Sequence, residues 1–415
     1  AMRVLGRPLH TGGGIDSPRP ASQRAAAFVL TAALLTGAAF PAFADTYYIE
    51  NGDITISAGE SGNDVTQNNV TTKNDTNTII TNQKTDTASS HTVTIEAKDK
   101  DDKVEVTLKD VNIDTSKQSK AAVSVTGSGN TTIKLDGDNH LTGGNGIYSN
   151  SSGSLTISGD ENDSLTAQGG DSRNGIYSVS GDVTISGGTV TATGGNSTGS
   201  YGSGGDGIHS GSLTISGGTV TATGGGSTGS NGLGGRGICS DSGGVTISGG
   251  STVTANGGNG SSGGDGISSS SGVTVSDGTV TANGGNSTGS YGSGGSGIYS
   301  VSGDVTISGG TVNANGGDGK NGNGGGSGID SSGGVTVSGG TVTANGGDSK
   351  DGDGGSGGNG IISFDHVAIS GGTVNAAGGN GGNGSRSDVG NGIISSVIDL
   401  SGSLELTAKA GSPNG

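Results

Sequence analysis

The residues able to do chemistry are few, and the acidic ones are placed to bind a cation. Ca²⁺ takes several oxygen ligands from carboxylates and carbonyls. Two aspartates directly precede a Gly-Ile step and three more lie close together in a glycine-rich loop, which makes the candidates Asp206, Asp265, Asp348, Asp351 and Asp353. Asp is also a common turn residue, so each position has a purely conformational alternative.

Tyrosines offer a second chemistry, because the C–H face of a sugar ring packs on an aromatic face. Three of them follow the Ile of a Gly-Ile step and are expected to point outward: Tyr148, Tyr177 and Tyr299. Tyr201 and Tyr291 belong to two identical long loops. Tyr148 and Tyr177 fall in adjacent repeats and Tyr299 four repeats beyond, so such a platform is interrupted. Simple exposed β-forming residues are the alternative.

Paired threonines form a third candidate surface. A flat ladder of Thr resembles an ice-binding face in arrangement, but Thr is also a common outward residue of strands. Asn313 and Asn375 interrupt the ladder, which otherwise consists of Thr189/Thr191, Thr219/Thr221, Thr252/Thr254, Thr279/Thr281 and Thr341/Thr343.

Nucleophilic or acid–base catalysis has little support in the sequence. His209, His366 and Cys239 each fall in a different repeat, with no partner at an informative spacing. We therefore predict that the protein is not an enzyme.

Composition restricts the partners. The chain has 94 Gly in 415 residues and a net charge of -17. Without residues 1–44, which hold four Arg and one Asp, 15 basic and 35 acidic residues remain, a net charge near -20. Such a polyanion repels nucleic acid and anionic membranes. Cys239 is the single cysteine, so no internal disulfide exists.

The first 44 residues have the pattern of an export signal. Four Arg precede an apolar run from Ala25 to Ala39, and Ala42-Phe43-Ala44 supplies a small-x-small cleavage site. The run is too short for a stable membrane span. We expect a secreted protein, extracellular or at the cell surface, with no membrane insertion after the signal is removed.

Every position that could do chemistry is carried by a repeat that recurs about every thirty residues. The unit contains Gly-Ile-x-Ser, then Val-Thr-Ile-Ser-Gly-Gly, then Thr-Val-Thr-Ala, as at Val183–Ala192. Apolar and polar residues alternate with a period of two, which is typical of half-buried strands. Equivalent positions hold equivalent residues, giving an Ile column (Ile147 to Ile393), a Val column (Val190 to Val374) and an Ala column (Ala192 to Ala376).

Two folds are compatible with this unit. In a parallel β-helix each unit is one coil, and the columns stack along the axis. Alternatively, Ile-Ser-Gly-Gly-Thr-Val forms an antiparallel hairpin with a primed turn, which leaves the Gly-Ile strand without an obvious partner. Loop lengths vary while strand positions stay fixed, and this favours the β-helix. Gly-Gly is expected to provide a positive φ at a corner, and Asn256, Asn283, Asn315 and Asn345 are expected to stack as a hydrogen-bonded ladder.

The predicted organisation is a signal peptide at 1–44, an irregular N-terminal cap at 45–90, a β-helix at 91–411 and a tail at 412–415. The β-helix is expected to have about nine regular three-strand coils, preceded by irregular ones.

The order of motifs between Val104 and Thr193 resembles a known family. Val106-Thr107-Leu108-Lys109-Asp110-Val111-Asn112-Ile113, Thr132-Ile133-Lys134-Leu135-Asp136-Gly137-Asp138-Asn139-His140-Leu141 and the Val-Thr-Ile-Ser-Gly-Gly-Thr-Val units carry the resemblance. The family is the secreted carbohydrate-binding β-helix domain of polysaccharide-degrading clostridia and other gut Firmicutes. The resemblance implies a right-handed parallel β-helix, bound calcium, and non-catalytic affinity for cellulose or pectic polymers.

The leading hypothesis is therefore a secreted polysaccharide-binding β-helix, with calcium as a structural or bridging ion. A cell-surface adhesive stalk is the alternative. A polysaccharide lyase is less favoured, since it needs a Lys or Arg base beside acid-bound calcium, and the few basic residues of the repeats fall in loops. Ice binding is less favoured still.

Overall fold

The computed structural model describes residues 45–289, 292–350, 354–384 and 387–413. The described chain is all-β apart from two short 3-10 turns, Ile49–Asn51 and Ser116–Gln118. Its strands form three ladders that we name by their residues: the Ile face, the Val face and the Thr face.

The Ile face contains the strands of the Gly-Ile-x-Ser motif. Its strands are Ile54–Ala58, Val93–Ala97, Val123–Gly127, Ile147–Ser149, Ile176–Ser178, Ile208–Ser210, Ile238–Ser240, Ile267–Ser269, Ile298–Ser300, Ile329–Ser331, Ile361–Ser363 and Ile393–Ile394. Each pairs in parallel with the next. The described residues therefore make twelve turns: nine regular ones that begin with a Gly-Ile step, and three before them.

The Val face holds the Val-Thr-Ile strands. It contains Thr46–Tyr48, Ile79–Thr81, Lys103–Lys109, Asn130–Asp136, Leu155–Ser158, Val183–Ile185, Leu213–Ile215, Val245–Ile247, Val273–Val275, Val305–Ile307 and Val335–Val337.

The Thr face holds the Thr-Val-Thr-Ala strands. It contains Asn112–Asp114, Asp138–Gly143, Ser164–Gly169, Thr189–Thr193, Thr219–Thr223, Thr252–Asn256, Thr279–Asn283, Thr311–Asn315 and Thr341–Asn345. In the last two turns single long strands, His366–Ala377 and Val397–Lys409, run through both faces, and Gly319–Lys320 pairs with Ser349–Lys350 in a loop.

The pairing excludes the hairpin alternative and confirms the parallel β-helix. Val183–Ile185 pairs with Leu213–Ile215, one turn away, and Thr189–Thr193 pairs with Thr219–Thr223 in the same direction. Between them the chain turns a corner at Gly-Gly, where Gly188 and Gly218 both have φ of 78°. That conformation suits glycine because it has no Cβ, as the sequence predicts.

The predicted columns are continuous inside the solenoid. Register places Ile147, Ile176 and Ile208 side by side, and the same holds for the Val and Ala columns. These side chains are almost fully buried and belong to one hydrophobic cluster. Burying this apolar surface offsets the conformational entropy of a glycine-rich chain.

One interior column is polar. The Ser of the Gly-Ile-x-Ser motif is buried in the first eight regular turns, including Ser178 and Ser269. In most of these turns its hydroxyl donates to a corner carbonyl, as from Ser178 Oγ to Gly181 O at 2.8 Å and from Ser269 Oγ to Gly272 O at 2.7 Å, whereas Ser210 Oγ has no hydrogen-bond partner among the described residues. Where the bond forms, it satisfies the buried hydroxyl and stabilises the corner.

The segment 45–90, predicted to be an irregular cap, contains antiparallel strands in the first turn of the described chain. Ile54–Ala58 pairs antiparallel with Asn63–Gln67, which pairs antiparallel with Val70–Asp75. Ile54–Ala58 also pairs in parallel with Val93–Ala97. Parallel stacking thus begins before residue 91.

Candidate functional site

The residue after each Ile forms one outward column on the Ile face. Because the strands are parallel and in register, residues about thirty apart become neighbours. Register gives the order Ser124, Tyr148, Tyr177, His209, Cys239, Ser268, Tyr299, Asp330. This column contains most of the residues whose side chains could bind a ligand or take part in a reaction.

Tyr148 and Tyr177 are adjacent, as predicted. Their ring centroids are 5.7 Å apart with planes inclined by 51°, within the range of favourable aromatic pairs. Both are half-buried, so each keeps an exposed surface. Tyr299 is separated from them by His209, Cys239 and Ser268, so the interruption is also as predicted. Tyr201 is 81% exposed in its loop, away from the column, and Tyr291 lies outside the described residues.

A groove runs beside the tyrosine pair. It has a volume of about 540 Å³, and its lining includes Tyr148, Tyr177, Lys120 and Arg173. A neighbouring depression of about 450 Å³ shares Arg173 and adds Lys117 and Asp171. The two depressions form a continuous surface through the residues they share.

Three cations on this surface are not neutralised by ion pairs. Lys117, Lys120 and Arg173 are exposed. In the described part of the chain, none of them has a carboxylate oxygen within the 4.0 Å that defines a salt bridge. On a protein with a net charge of -17, this is a local concentration of cations beside two half-buried aromatic rings. We call Tyr148, Tyr177, Lys117, Lys120 and Arg173 the basic groove.

The next two positions of the column carry a cluster that corrects one sequence prediction. His209 and Cys239, predicted to be solitary, are register neighbours on adjacent turns. His209 Nδ1 lies 2.7 Å from Asp206 Oδ2, and His209 Nε2 lies 2.7 Å from Asp241 Oδ2. Cys239 Sγ donates to Asp241 Oδ1 at 3.3 Å and accepts from Arg236 Nη1 at 3.3 Å. One turn of the solenoid is the spacing that brings these groups together. His366, by contrast, contacts the adjacent Asp365 at 3.0 Å, elsewhere in the fold.

The electrostatics of the cluster favour an ion-pair network over a nucleophile. Burial lowers the pKa of His209, but hydrogen bonding to Asp206 and the charges of Asp206 and Asp241 outweigh burial, so the pKa is raised. Burial raises the pKa of Asp241, but the charge and hydrogen bond of His209, the hydrogen bond from Cys239 and the charge of Arg236 together outweigh burial, so the pKa is lowered. Burial raises the pKa of Cys239 to about 12. The thiol is therefore protonated at neutral pH, and both imidazole nitrogens are already engaged, so this is not a Cys–His catalytic pair.

The aspartates proposed as calcium ligands occupy structural positions. Each uses Oδ1 to accept a backbone N–H from the following turn: Asp206 from Arg236 at 2.7 Å, Asp265 from Ser296 at 2.8 Å and Asp348 from Asn380 at 2.7 Å. Asn145 and Asn174 hold the same position before Gly-Ile as Asp206 and Asp265 and accept in the same way at 2.9 Å and 2.7 Å, so this position suits either side chain. Asp348 belongs to a different column, in which Asp318 accepts from Asp348 N at 2.9 Å. Both columns are compatible with the conformational alternative. Asp351 and Asp353 lie outside the described residues.

The remaining predicted ladders form on the outer surface. Asn283 Nδ2 donates to Asn256 Oδ1 at 2.8 Å, and Asn315 and Asn345 continue the ladder at 2.9 Å each. This confirms the predicted asparagine ladder. The Thr column is also in register on the Thr face, with Asn313 pairing between Thr281 and Thr343.

Sequence reasoning missed the roles of Lys117, Lys120, Arg236 and Asp241. For Arg236 a signal was present, because it occupies the same place before Gly-Ile as Asp206 and Asp265 in the flanking repeats. Asp241 follows Cys239 by two residues, at the end of the strand. Lys117 and Lys120 belong to an irregular turn that no repeat aligns.

The fold and this polar column define a repeat protein of the parallel β-helix class. Two segments, residues 213–235 and 305–333, match a family model described as a beta helix repeat. No curated protein and no solved structure matches the chain. In the described part of the chain, no helix has the length and apolar character required to cross a membrane.

Proposed function

We propose that this parallel β-helix is a secreted, non-catalytic protein that binds an acidic polysaccharide of the pectic type in the basic groove. The observation that carries the proposal is the placement of a tyrosine pair beside three cations that form no salt bridge within the described residues, on a protein that is otherwise strongly acidic. Aromatic rings support the apolar face of a sugar, and Lys or Arg pairs with a carboxylate. A uronate-containing chain satisfies both.

The geometry supports a polymer rather than a single sugar. Tyr148 and Tyr177 come from adjacent turns, which are about 4.8 Å apart along the axis, and the neighbouring depression extends the surface to Lys117. A chain lying along the axis would therefore meet successive groups.

Non-catalytic binding is favoured by the groove lining. The depression beside the tyrosines has no carboxylate, imidazole or thiol among its described lining residues, and the neighbouring depression contributes one carboxylate, Asp171. A lyase reaction needs a base beside an acid-bound cation. Calcium takes several oxygen ligands, and a single carboxylate is too few to hold it. Release of unsaturated uronic products, seen as new ultraviolet absorbance, would overturn this part of the proposal.

The proposal is tested by titrating polygalacturonate, and neutral cellulose oligomers for comparison, into the purified mature protein by calorimetry. We expect polygalacturonate to bind and Tyr177→Ala to weaken binding about tenfold, equivalent to about 1.4 kcal/mol. Arg173→Ala should weaken binding and reduce its salt dependence. Tyr201→Ala is the matched control, because that ring lies outside the column. Equal affinity of all four proteins, or no binding, would refute the assignment.

Calcium is proposed as an additional bridging ion between acidic polymer and acidic protein. Polysaccharide binding is measured once with calcium and once with a chelator. Direct binding to the three cations needs no calcium, whereas calcium-bridged binding does, so the two measurements distinguish these modes. A complete loss on chelation would place calcium in the complex, and unchanged binding would remove calcium from the proposal.

Secretion is tested separately. Expression with the native N-terminus in a bacterial host should release a protein whose first residue is Asp45, since cleavage is expected after Ala44. Retention of the first 44 residues in the purified protein would contradict export.

A cell-surface stalk remains the second candidate, and the uniform stacking of twelve turns favours it. A stalk needs no ligand of its own. Failure of every glycan to bind, with the fold intact, would favour it over polysaccharide binding.

A further inference from the structure

The cluster on the Ile face brings oxygen, nitrogen and sulfur donors together from two turns. Asp206 and His209 lie on one turn and Cys239 on the next, and their ligand atoms all lie within 4.8 Å of one another. The relative exposures of Asp206 and Cys239 are 9% and 3%. We propose that Asp206, His209 and Cys239 bind a transition metal ion of the Zn²⁺ class. This inference is independent of polysaccharide binding in the basic groove.

The donor set selects the type of metal. Thiolate and imidazole are ligands for Zn²⁺ and its neighbours, whereas Ca²⁺ is bound by oxygen atoms alone. A calcium site at Asp206, suggested by the sequence, is thus replaced by a site of different chemistry.

Small side-chain movements would bring the three ligand atoms into tetrahedral positions around an ion. Zinc bonds of about 2.0–2.3 Å place ligand atoms about 3.3–3.6 Å apart. Asp206 Oδ2 and His209 Nδ1 are now 2.7 Å apart, so the ion replaces their hydrogen bond and separates them by under about 1 Å. When the ion binds, the Cys239 thiol and Nδ1 of protonated His209 each give up a proton to solvent, and His209 Nε2 keeps its proton. The fourth position is then available to water.

A surrounding shell is already in place. A metal-binding His commonly donates its other ring N–H to a carboxylate, and His209 Nε2 is 2.7 Å from Asp241 Oδ2. Arg236 Nη1 donates to Cys239 Sγ. With the ion bound, the two positive charges of the metal and that of Arg236 balance Asp206, Asp241 and the thiolate.

The backbone fixes the two turns, and solvent reaches the site. Asp206 Oδ1 accepts the backbone N–H of Arg236 at 2.7 Å, which sets the distance between the ligands of the two turns. A depression of about 310 Å³ lined by Asp206, Arg236 and Asp265 provides an entry path. The Asp241 side chain is 57% exposed on the other side.

The test is titration of the chelator-treated full-length protein with Zn²⁺ by calorimetry and with Co²⁺ by absorption. We expect one ion per chain and a thiolate-to-cobalt charge-transfer band. Cys239→Ser should abolish that band, and His209→Ala should weaken Zn²⁺ binding at least about 100-fold, since it removes a direct ligand. Asp241→Asn should weaken binding about 10- to 100-fold, because the carboxylate accepts the N–H of the imidazole that binds the ion and so holds it in place.

His366→Ala is the matched control, because it removes a histidine and its aspartate contact at another place in the solenoid. Its affinity for Zn²⁺ should equal that of the unmodified protein. Circular dichroism establishes that each variant keeps its β-sheet content. If Cys239→Ser and His209→Ala, both folded, bind Zn²⁺ as the unmodified protein does, the ion binds elsewhere and the proposal fails.

Two further outcomes also overturn it. The absence of the charge-transfer band with the unmodified protein would exclude sulfur ligation. If Ca²⁺ displaced Zn²⁺ at equal concentration, the ligands would be oxygen atoms alone. In either case the cluster is an ion-pair network in which protonated His209 bridges two carboxylates.

Discussion

Neutralising Asp265 should stabilise the protein, and the effect should depend on pH. Burial raises the pKa of Asp265 to about 6, an effect only partly opposed by the Ser296 N–H and by Arg236. Because the folded-state pKa lies above that of the unfolded chain, the ionised carboxylate destabilises the folded state. The penalty is fully present above about pH 6 and disappears below about pH 4, where the group is protonated in both states.

The structure also gives the size of the expected stabilisation and the residue that should replace Asp265. A rise from 3.8 to about 6 sets a ceiling of about 3 kcal/mol, at about 1.4 kcal/mol per pH unit. Asp265 is only half-buried and lines a depression open to solvent, and screening by solvent reduces the expected gain to about 1–2 kcal/mol. Asn is the natural substitute, because Asn145 and Asn174 accept a backbone N–H at equivalent positions of other turns.

The assay is urea unfolding of Asp265→Asn and the unmodified protein between about pH 4 and pH 8, with chelator present. We expect the variant to be more stable near pH 8 and the difference to shrink towards pH 4. Asp304→Asn is the control: Asp304 also accepts a backbone N–H, from Gly334 at 2.8 Å, but is exposed. An Asp265→Asn protein that is no more stable near pH 8, or a difference that does not change with pH, would refute the reasoning.

Three other predictions follow from the packing. Gly295→Ala should lower the free energy of unfolding by about 3 kcal/mol or more, since the added Cβ would lie 2.0 Å from Gly264 O. Gly199→Ala is the control: the atom nearest to its added Cβ is 3.7 Å away, so the midpoint of unfolding should change little. Asn315→Ala removes two bonds of the asparagine ladder and should cost about 1–3 kcal/mol in the free energy of unfolding; the neighbouring Asn313→Ala should cost less, and equal losses would contradict the ladder's role. Cys239, 3% exposed and with its pKa raised to about 12, should resist alkylation by iodoacetamide near pH 8 until urea unfolds the chain; modification of the native protein, read by mass spectrometry, would contradict its burial.

Most of the fold could be predicted from the sequence because the repeat specifies it at several levels. Alternation in Val183–Ile185 and Thr189–Thr193 gives the strands, Gly188 gives the corner, and the recurrence of Ile, Val and Ala gives the stacking. The three turns before Ile147 lack the Gly-Ile step, so their number could not be counted in advance. The buried serine column was also hidden, because Ser is usually an exposed residue and its carbonyl partners become apparent only in the folded corner.

The candidate sites were harder to predict, for a geometric reason. His209 and Cys239 are thirty residues apart in sequence, and only the register of adjacent turns makes them neighbours. Comparing the same position in consecutive repeats would have revealed that contact. The basic groove would not have been found in this way, because Lys117 and Lys120 come from an irregular turn, and only the path of that turn brings Lys120 beside Tyr177.

The common register of the turns has a consequence for how this molecule can change in length. Tyr177–Val190 and Tyr299–Val312 are identical in sequence, and each turn contacts mainly its two neighbours. A whole turn can thus be gained or lost by recombination between such copies, and the remaining turns still stack on one another in the same register. The exception is the junction between His209 and Cys239: a turn inserted there would leave both the rod and the basic groove whole, yet move the imidazole and the thiol out of reach of each other.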